Sequence, residues 1–174
     1  MNFLKRLIII TSLFFAFQIS LQAEIPHYLD FKYILNESDA GKKAQIYLKK
    51  KLDNGIKNIK EKEKKIQEEE KKIIAQKKII SSEEYKKKVT SLREKVSSLQ
   101  KEQKKLFEQV AKERATARDE LLKNLNPIIQ EFMNEKKIRM VVDKKSLLLA
   151  DKNLDITKEI MSLLNKKLKS IKLN

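Results

Sequence analysis

Apolar residues recur at seven-residue intervals through the middle of the chain. Leu52, Ile59, Ile66, Ile73 and Ile80 form one series, with Leu48 completing its first turn, while Lys62, Glu69 and Gln76 interrupt the alternate positions of the seam. Downstream, Tyr85, Leu92, Leu99 and Leu106 form a second series; Val89, Val96, Val110 and Ala117 accompany it, broken by Gln103. Three-four spacing sustained over so many turns predicts coiled-coil helices. Between the two series lies Ser81-Ser82-Glu83-Glu84, in which Ser81 and Glu84 have capping-box spacing. The pattern therefore predicts two helices folded back on each other with the tip near 81–84. It sets Ile73 against Tyr85 to Val89, and Leu52 against Leu106 to Val110. About 40 residues per leg make an arm of roughly 60 Å. A single long helix that dimerises is the alternative; the serine break and the two unlike seams favour the hairpin.

The flanks follow other periods. Alternation in Glu24 to Leu35 predicts a short strand over His27 to Asp30 and a helical turn over Phe31 to Asn36, with Pro26 at the strand start because it lacks a backbone donor. Ser38-Asp39 supplies an N-cap for the first long helix. Pro127 is expected to kink or restart the returning helix, whose apolar face continues through Ile128, Ile129, Phe132 and Met133. Ile138 to Asp143 is β-rich, Leu147 to Ala150 reads as a second strand, and Asp155-Ile156-Thr157 caps a final amphipathic helix. The fold class is α+β, mostly α. Residues 24–39 and 136–174 form a small β-containing body, and the hairpin of residues 40–135 is inserted between them. Such a body has a marginal core and exposed edges. A homo-oligomer is the expected remedy, with Tyr28, Leu29, Val141, Val142, Leu147, Leu148 and Leu149 as its interface.

Composition adds compartment and charge. Lys5 and Arg6 precede the apolar run Leu7 to Phe17, and Ala23 closes the segment, which predicts a signal peptide (residues 1–23) cleaved after Ala23 and an exported protein. The run is short of the roughly 20 apolar residues that a spanning helix needs. The chain has no Cys, which excludes disulfides, lipidated cysteine and Cys-ligated metal. Net charge is +16, and residues 40–125 hold 26 basic and 14 acidic side chains, so the excess sits on the hairpin. Arg supplies only five of the 40 basic residues; Lys is a flexible point charge, whereas Arg carries the planar fork that suits phosphate or base recognition. His27 is the only histidine, and Gly41 and Gly55 are the only glycines. Neither a catalytic constellation nor a phosphate loop is present, so no enzyme activity, cofactor or metal is expected.

The Tyr28-Leu29-Asp30 strand, the segment Ile34-Leu35-Asn36-Glu37-Ser38-Asp39-Ala40-Gly41-Lys42-Lys43-Ala44, the charged hairpin, Val141-Val142-Asp143 and the Asp155-Ile156-Thr157 helix start resemble the periplasmic chaperone family Skp/OmpH, in order and over essentially the whole chain after residue 23. The resemblance implies a homotrimer with a barrel-like β body and three helical arms around a basic cavity, in which unfolded outer-membrane proteins are held. An ATP-independent holdase needs steering charge and weak apolar contacts. Ile74, Lys77, Lys78, Ile79, Tyr85, Lys86, Lys87 and Lys88 are the candidate client-binding residues, and Lys86 to Lys88 are also candidates for anionic lipid headgroups. Two other functions fit parts of the pattern. An exported coiled-coil spacer would want a well-filled seam and no β body. A nucleic-acid binder is suggested by the pI near 9.8, but the export signal, the Lys-over-Arg bias and the lack of an aromatic stacking surface argue against specific nucleic-acid recognition.

Overall fold

The computed structural model describes residues 25–173; the signal-peptide segment lies outside them. Strand β1 (His27–Leu29) leads to helix α1 (Phe31–Glu37), the long helices α2 (Asp39–Gln76) and α3 (Ser82–Lys136), strand β2 (Val141–Asp143), two 3₁₀ turns (Lys144–Ser146 and Lys152–Leu154) and helix α4 (Thr157–Lys167). The result is the small sheet and long helices that the sequence pattern implies.

β1 and β2 pair in parallel, His27 against Val141, Tyr28 against Val142 and Leu29 against Asp143. On the other edge of β1, Tyr28 forms a single bridge with Asp155, and the Ile156 N–H donates to the Tyr28 carbonyl at 2.9 Å. Parallel strands need a long crossover between them, and here the crossover is the whole pair of long helices. Both edges of β1 are thereby occupied. The strand expected at Leu147 to Ala150 does not form: the 3₁₀ turn at Lys144–Ser146 carries the chain away from β2, and no edge of β1 remains to pair with it.

Short polar side chains set the helix starts. Asp30 Oδ1 accepts the Tyr33 N–H at 2.8 Å to cap α1, and Asp155 Oδ1 accepts both the Thr157 N–H, at 3.0 Å, and the Thr157 hydroxyl. The Thr157 Oγ1 in turn accepts the Asp30 N–H at 2.8 Å, which ties β1 to α4. Ser38 is fully buried at the N-cap of α2, its Oγ accepting the Gly41 N–H at 3.2 Å. Gly41 is required by space, since a Cβ there would lie 2.0 Å from the Leu35 carbonyl oxygen. The Ser38-x-Ala40-Gly41 run is therefore the close crossing of α1 and α2 written in sequence.

The core gathers Leu29, Ile34, Ala40, Ile156, Ile160 and Leu164 from the two flanks, and Leu121, Leu125, Ile128 and Phe132 from the last turns of α3. These α3 residues lie within the stretch assigned to the arm from the sequence. Pro127 neither ends nor restarts α3, which runs unbroken for 55 residues. An interior proline costs about 3 kcal/mol, and the burial of Leu125 and Ile128 on either side of it offsets that penalty. α3 closes at Lys137, in the left-handed region at φ 57°, where the Ile138 N–H donates back to the Met133 carbonyl at 2.8 Å and turns the chain into β2.

Candidate functional site

Beyond the body, α2 and α3 run side by side in opposite directions, linked by residues 77–81. Ser81 caps α3 and its Oγ accepts the Glu84 N–H at 3.2 Å, as the capping-box spacing implies. Four polar pairs cross between the helices: Lys51 with Glu113, Lys62 with Glu102, Glu69 with Lys95 at 2.6 Å, and Gln76 with Lys88 at 2.8 Å. Steps of 11, 7 and 7 residues along α2 are matched by equal backward steps along α3, so the register is uniform. A Cβ added at Gly55 would lie 2.5 Å from the Leu106 side chain, and Leu52 and Val110 line one groove, so Leu52 sits by Leu106 to Val110 as the heptad reading sets it.

Lys62, Glu69 and Gln76, which read in sequence as defects in the apolar seam, are the residues that make these rungs. Their charge order does a second job. A slip of one heptad in one direction would face Lys62 with Lys95; in the other it would face Glu69 with Glu102. Each slip trades the native set for one like pair and one new unlike pair (Glu69 with Lys88, or Lys51 with Glu120), so the native alignment is the one in which all four rungs form, whereas the apolar seam repeats every seven residues. Lys51 is held above its ordinary pKa, chiefly by its hydrogen bond to Glu113 and against the opposing effect of burial; its ammonium also lies 5.8 Å from the Tyr47 ring centre.

The eight sequence-derived tip residues fall on both sides of the link and are brought together there. Ile79 is 80% exposed and Ile74 58%. The Lys77 ammonium sits 6.0 Å from the Tyr85 ring centre, Lys87 pairs with Glu83 at 3.0 Å, and Lys88 pairs with Glu84 at 3.5 Å while bonding Gln76. Lys78 and Lys86 are exposed. The apex therefore presents two exposed isoleucines among lysines, a surface that can make weak apolar contacts and attract acidic groups.

The residues proposed for self-association separate into two groups. Tyr28 and Leu29 are buried within the chain itself, and Val141, Val142 and Leu147 are half-buried. Leu148 and Leu149 are 97% and 91% exposed, and Ile25 and Met140 are exposed as well. Among the described residues no helix is long and apolar enough to cross a membrane.

One feature at the base of the helical pair was missed from sequence: an open groove of about 810 Å³ between the end of α1, the first turns of α2 and the 110–121 stretch of α3, edged by Lys49, Arg114 and Arg118. The available signal was the scarcity of arginine, since two of only five stand one helical turn apart.

The family model for outer membrane protein (OmpH-like) matches residues 27–164. A crystal structure described as that of a candidate OmpH-like outer membrane chaperone, from Caulobacter crescentus CB15, superposes with a TM-score of 0.80 at 19% sequence identity, covering 91% of this chain and 95% of that one, a likeness of fold. No curated protein matches the sequence. With the family model spanning β1, both long helices, β2 and most of α4, the chain belongs to the OmpH-like outer membrane protein family.

Proposed function

We propose that the chain is an ATP-independent periplasmic holdase that captures unfolded outer-membrane proteins and keeps them from aggregating. In this reading, residues 1–23 direct export and are removed, the β-containing body assembles a homotrimer through Leu147, Leu148, Leu149 and the β2 edge, and the helical pairs project as arms around a basic cavity. The protein has no enzymatic role. The observation that carries the reading is the apex: Ile74 and Ile79 are left in solvent among lysines, at the end of a helical pair about 57 Å long at 1.5 Å per residue. Steering by positive charge raises the rate of encounter with acidic clients. Many weak apolar contacts then hold an unfolded chain without fixing one conformation. Lys86 to Lys88 are the contact points for anionic headgroups when the arms reach the membrane.

A spacer role is less consistent with the same apex, because a rigid strut gains nothing from exposed isoleucines at its end. Purified protein is expected to suppress aggregation of an unfolded β-barrel protein at near-stoichiometric amounts without nucleotide, and light scattering is expected to give three times the chain mass. Aggregation that proceeds unchanged at both low and moderate salt would overturn the holdase reading.

A further inference from the structure

We infer that the groove at the base of the helical pair is a second client-binding site, one that takes an extended, acidic and apolar polypeptide segment. The inference rests on the holdase reading but concerns a surface remote from the apex. The floor is apolar, formed by Leu35, Leu48, Leu52, Val110, Ala117 and Leu121. Ile46 stands at its mouth, 68% exposed. The opening of about 810 Å³ is of the size that encloses specific ligands.

Charge selects the occupant. Lys49, Arg114 and Arg118 edge the floor; all three are exposed, and among the described residues none has an ion-pair partner. Elsewhere on the pair, Lys51, Lys62 and Lys95 are matched across the seam by glutamates. Arg114 and Arg118 stand one turn apart on α3, about 6 Å along the axis. Alternate residues of an extended chain are about 6.6 Å apart. A strand that alternates apolar and acidic side chains can therefore lay its apolar face on the floor with its carboxylates turned outward, where the two exposed guanidinium forks can fold over the edge of the groove and hold them bidentately.

The polar end of the groove favours polypeptide over lipid. Asn36 and Gln45 line it beside the C-terminus of α1, with Gln45 Nε2 donating to Asn36 Oδ1 at 2.9 Å. A peptide backbone brings amide donors and acceptors to these groups, whereas an acyl chain would cover them without hydrogen bonds.

The test uses the intact protein, a fluorescent twelve-residue peptide alternating leucine with aspartate, and a matched peptide carrying lysine for aspartate. The acidic peptide is expected to bind with salt-sensitive affinity. Arg114→Gln with Arg118→Gln should weaken it at least ten-fold while circular dichroism keeps the helix content unchanged, and Lys136→Gln with Lys152→Gln, exposed on the body, should not. A photoreactive benzophenone side chain at Ile46 should cross-link to the peptide. Unchanged affinity in the arginine double variant, equal binding of the lysine peptide, cross-linking of Ile46 to a second copy of the chain, or its capture only by phosphatidylglycerol vesicles would each overturn the inference. Suppressed aggregation without peptide binding removes the groove and leaves the holdase; peptide binding without suppression does the reverse.

Discussion

The base and the middle of the helical pair are built from the same two helices and are held by different forces. At the base, α3 contributes Leu121, Leu125, Ile128 and Phe132 to a core that Ile34, Ile160 and Leu164 complete, all of them buried. In the middle, no residue of α2 between Leu48 and Ile73 is buried, nor any residue of α3 before Val110. There Leu52, Ile59 and Ile66 on α2, like Leu92, Leu99 and Leu106 on α3, are only half-covered, and the polar rungs align them. Two helices alone can bury one stripe each, and helix stability in proteins comes mainly from such burial. On the proposed holdase reading, a packed anchor and a loosely zipped prong in one continuous helix let the prong yield while the anchor holds.

The largest contrast is expected from truncations. Leu125→Ala should cost about 3 kcal/mol, within the range of roughly 2–5 for emptying a packed leucine site, whereas Ile66→Ala, half-solvated, should cost about 1 kcal/mol or less. Denaturant titration of the two variants measures the difference, and equal losses would erase the distinction.

The glycines sharpen it. At Gly41 an added methyl meets backbone, 2.0 Å from the Leu35 carbonyl oxygen; at Gly55 it meets only the Leu106 side-chain end at 2.5 Å. Gly41→Ala should cost about 2 kcal/mol through overpacking. Gly55→Ala should fall near neutral, because a helix-propensity gain of about 1 kcal/mol offsets the shift of a flexible leucine. Thermal unfolding of both variants checks the sign.

Lys137, the one non-glycine residue at positive φ among those described, offers the converse test at the base. Lys137→Gly should stabilise by about 1 kcal/mol, since glycine adopts the left-handed cap without the Cβ penalty. The smallest effect belongs to the rungs. Lys62→Glu should cost about 0.5–1 kcal/mol, in the range of exposed ion pairs, by setting a like charge against Glu102. Adding Glu102→Lys should restore most of it, and a double-mutant cycle at low salt measures the coupling.

How legible each region was follows from the same physics. Heptad spacing and the Ser81 cap disclosed both long helices and the link, because periodicity and capping are local. The heptads set Leu52 against Leu106 to Val110, and the contact of Gly55 with Leu106 agrees, but the polar residues discounted as breaks are the ones that form the rungs. Alternation found β1 and β-rich composition found β2, but the reading overextended to Leu147 through Ala150, where apolar character is present and neither edge of β1 is free to pair. Pro127 suggests a kink or a restart because its local cost is plain, while the burial that outweighs it is tertiary. The apex was readable from surplus isoleucines and lysines. The basal groove was not, because it depends on how α1 packs beside two helices distant in sequence.

Residue-resolved hydrogen exchange tests the central claim most directly, because it reports the opening free energy of each segment. The amides of residues 121–126, 128–133 and 160–164 should exchange only with global unfolding, while those of 56–70 and 92–106 should exchange orders of magnitude faster through local opening of the zipped helices. Protection that is uniform from the base to the link would contradict it.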